Sequence, residues 1–166
     1  MKNLWGIDLG GTKTEGVIIE SVENPKIIHR LRIPTESYKG YDHIIRMVST
    51  LVEMISSETG LKPDKIGIGT PGTVDPQLKS MKNCNTTCLN GMPLNQDLEK
   101  ALSVSVVIAN DANCLALSES RIGAAADILP GAEIVFGVIS GTGVGGGIVV
   151  NGKVLNGLQG IIKNII

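Results

Sequence analysis

Ile7-Asp8-Leu9-Gly10-Gly11-Thr12-Lys13-Thr14 is the stretch that decides how this chain is read. Leu4, Trp5, Ile7 and Leu9 lead into it, and Val17, Ile18 and Ile19 follow. Short runs of branched apolar residues read as strands, so the stretch is a turn between two strands. Gly10 and Gly11 tolerate positive φ and let the backbone come close to a ligand. Their N–H groups, with the Thr12 hydroxyl, can form a concavity for phosphate oxygens. Asp8 adds a carboxylate at the end of the first strand. A carboxylate beside a phosphate repels it unless a cation intervenes, and magnesium accepts one or two carboxylates together with phosphate oxygens. The pattern therefore suggests a magnesium–nucleotide complex; the competing reading is an ordinary glycine hairpin.

The pattern recurs. Residues 7–19 read IDLGGTKTEGVII and residues 138–150 read VISGTGVGGGIVV. Each is an apolar strand, a Gly/Thr turn and a second apolar strand. Gly10 matches Gly141, Gly16 matches Gly147, and Val17-Ile18-Ile19 matches Ile148-Val149-Val150. Two such hairpins suggest a cleft that grips a nucleotide from both sides.

Composition narrows the class. A chain of 166 residues is one domain, or one domain and part of another, and it can bury a core without covalent staples. Its net charge of -1 leaves no electrostatic footprint for nucleic acid or an anionic membrane. Aromatic residues are scarce, which disfavours stacking of single-stranded nucleic acid. No apolar run approaches the ~20 residues of a membrane span. The chain enters a strand at once, without the pattern of a signal peptide. Cys84, Cys88 and Cys114 are an odd set, as expected of a reducing compartment. Cys84 and Cys88 have no second pair to complete a metal site and read as plain thiols. A cytoplasmic protein is expected.

Between the hairpins, residues 26–33 (KIIHRLRI) make a third strand that Pro34 ends, so the chain opens with a three-strand meander; His29 reads as a structural residue there. Ile44, Ile45, Val48, Leu51, Val52 and Ile55 follow the helical period over Tyr41–Thr59, with Gly60 as the stop. His43 in its first turn reads as solvated. Residues 65–69 (KIGIG) form a buried strand after this helix, hence a parallel crossover. The loop after it, with Pro71 and Gly72, is either a ligand loop at a strand's carboxyl end or a routine turn. Residues 79–94 are polar and irregular; Asn83, Asn85 and Asn90 suit a hydroxyl-rich ligand or belong to an inert connection. A short helix begins at Pro93. Residues 104–109 form the next strand, and an Ala/Leu-rich helix follows Asn110-Asp111. Asp111 is either the N-cap of that helix or a carboxylate aimed into the crevice at the strand ends. Residues 123–131 read as turn-like, placing the domain boundary there: 1–122 and 123–166.

Two motifs near the second hairpin fail on context. Gly141, Gly143 and Gly146 fit a dinucleotide fingerprint, but a strand follows where a helix is required. Gly147, Gly152 and Lys153 fit most of a Walker A loop, but Val154 stands where Ser or Thr must meet magnesium.

The element order resembles the ribonuclease-H-like half-fold of actin-like ATPases and sugar kinases: an α/β domain with a three-strand meander and crossover helices, then the first strands of a second such domain. Five motifs add a closer likeness. DLGGTKT at 8–14, GIGTPGTVD at 67–75, NCNTTCLNG at 83–91, NDANCLALSE at 110–119 and GTGVGGG at 141–147 resemble, in order, those of the ROK family of sugar kinases and repressors. Within it the chain looks most like bacterial fructokinase, N-acetylglucosamine kinase and glucokinase. The resemblance implies ATP-dependent phosphorylation of a hexose hydroxyl, usually on C6. Asp111 would be the catalytic base and Asn110 a sugar ligand, with Gly72 and Asn85 lining the sugar pocket. Asp8 would act through nucleotide-bound magnesium. Gly10, Gly11, Thr12, Gly141, Thr142, Gly143 and Gly145 would hold the nucleotide phosphates, with Lys13 near them or at the surface. Small-molecule partners are implied, the composition speaks against nucleic acid and membrane, and the apolar residues Ile134, Val138, Ile148 and Val150 of the second hairpin lead us to expect a homo-oligomer, a dimer.

Kinases of this family continue past the position of Gly160 with an E-x-G-H segment whose Glu and His bind the sugar, then usually a cysteine-rich zinc motif. This chain reads Ile161-Ile162-Lys163-Asn164-Ile165-Ile166 instead, so the zinc site is absent from it. A truncated kinase of low or no activity is expected. The alternatives are a non-catalytic sugar- or nucleotide-binding module and a ROK-type transcriptional regulator. The last is disfavoured by a start in a strand rather than in a helix-turn-helix.

Overall fold

A computed structural model describes residues 3–140 and 144–156. The opening meander is present: β1 (Leu4–Leu9), β2 (Lys13–Ile19) and β3 (Ile27–Pro34) pair antiparallel in sequence order. Helix α1 (Tyr41–Thr59) follows, and its C-cap Gly60 takes the left-handed φ of 72° that glycine adopts without strain. The crossover returns the chain as β4 (Lys65–Thr70), parallel to β1. After helix α2 (Leu94–Leu102) comes β7 (Ser105–Asn110), and the five strands stand in the order β3-β2-β1-β4-β7. This order is the half-fold expected from the element sequence.

Alternation along the strands builds the core. Trp5, Ile7 and Leu9 of β1 and Ile18 of β2 point to one face. The α1 stripe of Ile44, Val48, Leu51 and Ile55 covers that face, every one of these helical residues essentially fully buried. Gly16 is small because a Cβ there would come 2.5 Å from Ile55 Cδ1. The opposite face carries Glu15, which accepts from Arg30 and Arg32 on the neighbouring strand. Burial pushes the Glu15 carboxyl up, but these two guanidinium groups outweigh it and hold the carboxyl below its ordinary value.

The loop after β4 and the stretch read as irregular are joined by a small hairpin: β5 (Thr73–Val74) in the loop pairs with β6 (Met81–Lys82) in the stretch. Asp75 braces its turn. It accepts from the Gln77 and Leu78 N–H groups and from Lys82, which lowers its pKa to about 2. Strands of two residues leave no period to read, which is why the sequence hid them. His43 is not solvated: its Nε2 lies 2.9 Å from Glu36 Oε2, with the side chain 15% exposed.

The chain forms two compact units, Met1–Ala109 and Asn110–Ile166. In the second, α3 (Asp111–Ile122) and α4 (Ala124–Ile128) precede a three-stranded sheet with its second strand at the centre. Its strands are β8 (Ile134–Ser140), β9 (Val144–Val150) and β10 (Lys153–Val154). Helix α4 lies where the sequence read as a turn: Ala124-Ala125-Ala126 has helix propensity, but five residues are too few to show a period. Gly137 and Gly147 pair across the hairpin. A Cβ at Gly147 would sit 2.5 Å from the Ala112 carbonyl oxygen, and one at Gly137 would sit 2.9 Å from Ala116 Cα. Two glycines facing two alanines one helical turn apart bring α3 down onto the sheet.

Candidate functional site

In the first unit, three loops named from the sequence meet. A Cβ on Gly11 would lie 2.8 Å from Thr86 Oγ1, so the glycine turn rests against the asparagine loop. A Cβ on Gly72 would lie 2.7 Å from the Lys82 carbonyl oxygen and would also clash with Cys84 Sγ. Gly72 thus makes room for buried Cys84, the neighbour of Asn85. Asn90 clamps the same loop: its Oδ1 accepts from Cys84 N–H at 2.8 Å and its Nδ2 donates to the Cys84 carbonyl at 3.1 Å. Asn90 therefore works inside the loop, while Asn85 is exposed.

The turn commits one of its three backbone N–H groups. Gly10 N–H donates to the Lys13 carbonyl at 3.1 Å. The N–H groups of Gly11 and Thr12 make no hydrogen bond with the described residues. Asp8, the next-to-last residue of β1, has an exposed side chain, and Thr12 and Lys13 are exposed as well. A close-approach glycine, two undirected amides and one accessible carboxylate fit a phosphate chain carrying magnesium.

In the second unit, the cap and the carboxylate turn out to be separate residues. Asn110 is the N-cap of α3, its Oδ1 accepting from Asn113 N–H at 3.3 Å. Asp111 opens the helix, and its Oδ1 accepts from Ala112 N–H at 2.8 Å. Burial pushes the Asp111 carboxyl above its ordinary value, against the hydrogen bonds from the Ala112 and Asp111 N–H groups and the Asn110 side chain. Desolvation in this direction makes a carboxylate a better proton acceptor. Gly145, at the start of β9, stands over this turn: a Cβ there would be 3.7 Å from Ala112 Cβ. Gly141, Thr142 and Gly143 lie outside the described residues.

Sequence reasoning passed over two features. Asn113 is 5% exposed and its Oδ1 makes no hydrogen bond among the described residues. Thr35, directly after the strand-ending Pro34, is fully buried and bonded to the glycine turn. Neither position stands out by residue type; both become visible only when their neighbours are known.

Comparison with known proteins places the chain. The model of the ROK family matches residues 4–165, and the chain belongs to that family. It is 38% identical over 154 residues to an N-acetyl-D-glucosamine kinase of Aliivibrio salmonicida, covering 92% of this chain and 48% of that one. Among solved structures it is similar to a ROK hexokinase from Thermus thermophilus, with TM-score 0.79 and 31% identity over 95% of this chain and 50% of the other. A ROK family glucokinase from Streptomyces griseus in complex with glucose and AMPPNP matches with TM-score 0.82 and 28% identity, over 96% and 48%. A ROK family transcriptional regulator at 20% identity and TM-score 0.78 shares the fold, covering 98% of this chain and 40% of that one. The fold is that of the actin-like sugar kinases. The chain spans about half the length of the curated relatives it matches.

Proposed function

We propose that this chain carries the nucleotide turn and the catalytic carboxylate of an ATP-dependent hexose kinase. Desolvated Asp111, oriented by the Ala112 N–H and flanked by Asn110, is the observation that carries the reading. Asp111 takes the proton of a sugar hydroxyl while that oxygen forms a bond to the γ-phosphorus and the bond to ADP breaks. Such transfer depends mainly on positioning and on stabilising charge. Asn110, Asn85 and the Gly72 loop contact the sugar. Gly10, Gly11, Thr12, Gly141, Thr142, Gly143 and Gly145 hold the phosphates, with Lys13 beside them. Magnesium, held through Asp8 and the nucleotide, supplies positive charge to the phosphate oxygens. The acceptor is the C6 hydroxyl of N-acetylglucosamine, glucose or fructose. The names of the relatives put the first of these foremost.

The protein works as a cytoplasmic homodimer. The 166-residue chain by itself has little activity, since an acceptor held on one side lacks the positioning that transfer needs. A coupled ADP-release assay with these three hexoses and mannose tests this reading, run on the chain and on a version extended to the relatives' length. Turnover by the extended protein alone is the expected result. Binding of sugar or nucleotide without turnover by the extended protein would instead favour a binding module.

A further inference from the structure

The glycine turn is held from behind by one residue. Thr35 is fully buried and touches the turn at two points. Its N–H donates to the Thr12 carbonyl at 2.9 Å, and its hydroxyl donates to the Gly10 carbonyl at 2.7 Å. Thr14, equally buried, lies 2.7 Å from the same hydroxyl. A carbonyl only accepts, so the single Thr35 hydroxyl proton is committed to Gly10, and Thr14 must donate to Thr35. The relay therefore runs from Thr14 to Thr35 to the Gly10 carbonyl, each bond polarising the next.

The planar trans peptide gives this relay its consequence. The carbonyl of Gly10 and the N–H of Gly11 belong to one peptide plane and point in opposite directions. Drawing the Gly10 carbonyl inward turns the Gly11 N–H outward. The bond to the Thr12 carbonyl fixes the far end of the turn. We propose that Thr35 is the positioning residue of the phosphate turn, presetting the Gly11 amide for an anionic phosphate before the ligand arrives. This rests on the nucleotide reading given above. Preorganised donors bind charge without the cost of reorganising, which is what a phosphate-transfer site requires.

The test is calorimetric titration of the chain with magnesium–AMP-PNP and, separately, with N-acetylglucosamine. Thr35→Val keeps the branched shape and the backbone bond but removes the hydroxyl. Its nucleotide affinity is expected to fall roughly 5- to 30-fold, the range of one lost hydrogen bond with a partner left unsatisfied. Sugar affinity should stay unchanged, and Thr35→Ser should restore nucleotide binding. Thr14→Val, which removes only the first donor, is expected to lose about 2- to 5-fold, and it decides the matter should Thr35→Val fail to fold. Unchanged nucleotide affinity in both valine variants would overturn the inference and leave the nucleotide site standing. Equal loss of nucleotide and sugar affinity would reduce Thr35 to a packing role. Absence of AMP-PNP binding by the wild-type chain would remove the nucleotide reading, and this inference with it.

Discussion

The β1–β2 hairpin and the β8–β9 hairpin follow one pattern and meet water differently. Each turns one face to a helix across a glycine, Gly16 against α1 and Gly147 against α3. On the other face they diverge. The first presents Asp8 and Glu15, with Arg30 and Arg32 paired to Glu15 from the next strand. The second presents Ile134, Phe136 and Val138, which are 67%, 52% and 52% exposed. A charged face is stable in water as it stands, whereas a contiguous apolar one marks a surface that is normally covered. A repeated sequence pattern thus sets the hairpin and its helix-facing glycine. The residues between those fixed points decide whether the unit stands alone.

The largest expected effect separates chemistry from framework. Asp111→Asn, in a protein extended to the relatives' length, should lower kcat by roughly 10²–10⁴-fold, as loss of a general base does. Sugar affinity should be nearly kept, because the amide preserves shape. Near-normal turnover would make Asp111 a helix-start residue and leave the second hairpin with packing alone to explain.

Next comes a direct contrast between the two helix-facing glycines. At Gly147 an added methyl meets a helix backbone carbonyl, which cannot move aside; at Gly16 it meets the tips of Ile55 and Leu51. Gly147→Ala should cost about 3 kcal/mol locally and Gly16→Ala about 1, the two ends of the overpacking range. Hydrogen exchange of the β9 and β2 amides reads each locally. Equal costs would show that α3 yields as easily as side-chain tips do.

The open faces give a smaller effect. The chain is expected to associate with itself through the β8–β9 face, and Phe136→Lys should shift its mass in solution toward the monomer. Folding stability should change by no more than about 0.5 kcal/mol, as for other surface substitutions. Light scattering and denaturant unfolding check the two halves of this statement. Self-association that survives the lysine would move the interface elsewhere.

The smallest effect is electrostatic. Burial raises the Asp111 carboxyl, so the folded protein holds that proton more tightly than the unfolded chain does. Ionising it therefore costs stability above its raised value, and the cost disappears once pH falls below the unfolded pKa of about 3.9. Asp111→Asn should be slightly more stable than wild type at neutral pH and equal to it in acid. Equal stability at both pH values would mean that the site is not desolvated.

Much of this was legible in advance because local rules govern it. Short runs of branched apolar residues placed β1 and β2, the helical period bounded α1 at Tyr41 and Thr59, and the motifs carried the family. Each of these depends on neighbours within a few residues. The sequence could not reveal that Gly72 makes room for Cys84, that Asn90 is spent clamping its own loop, or that Asn110 is the cap beside an uncapping Asp111. Nor could it single out Thr35, which lies 25 residues from the Gly10 carbonyl it holds. Those roles belong to the tertiary structure alone, because a buried hydrogen bond or a missing Cβ has meaning only through the atom brought against it from elsewhere in the chain.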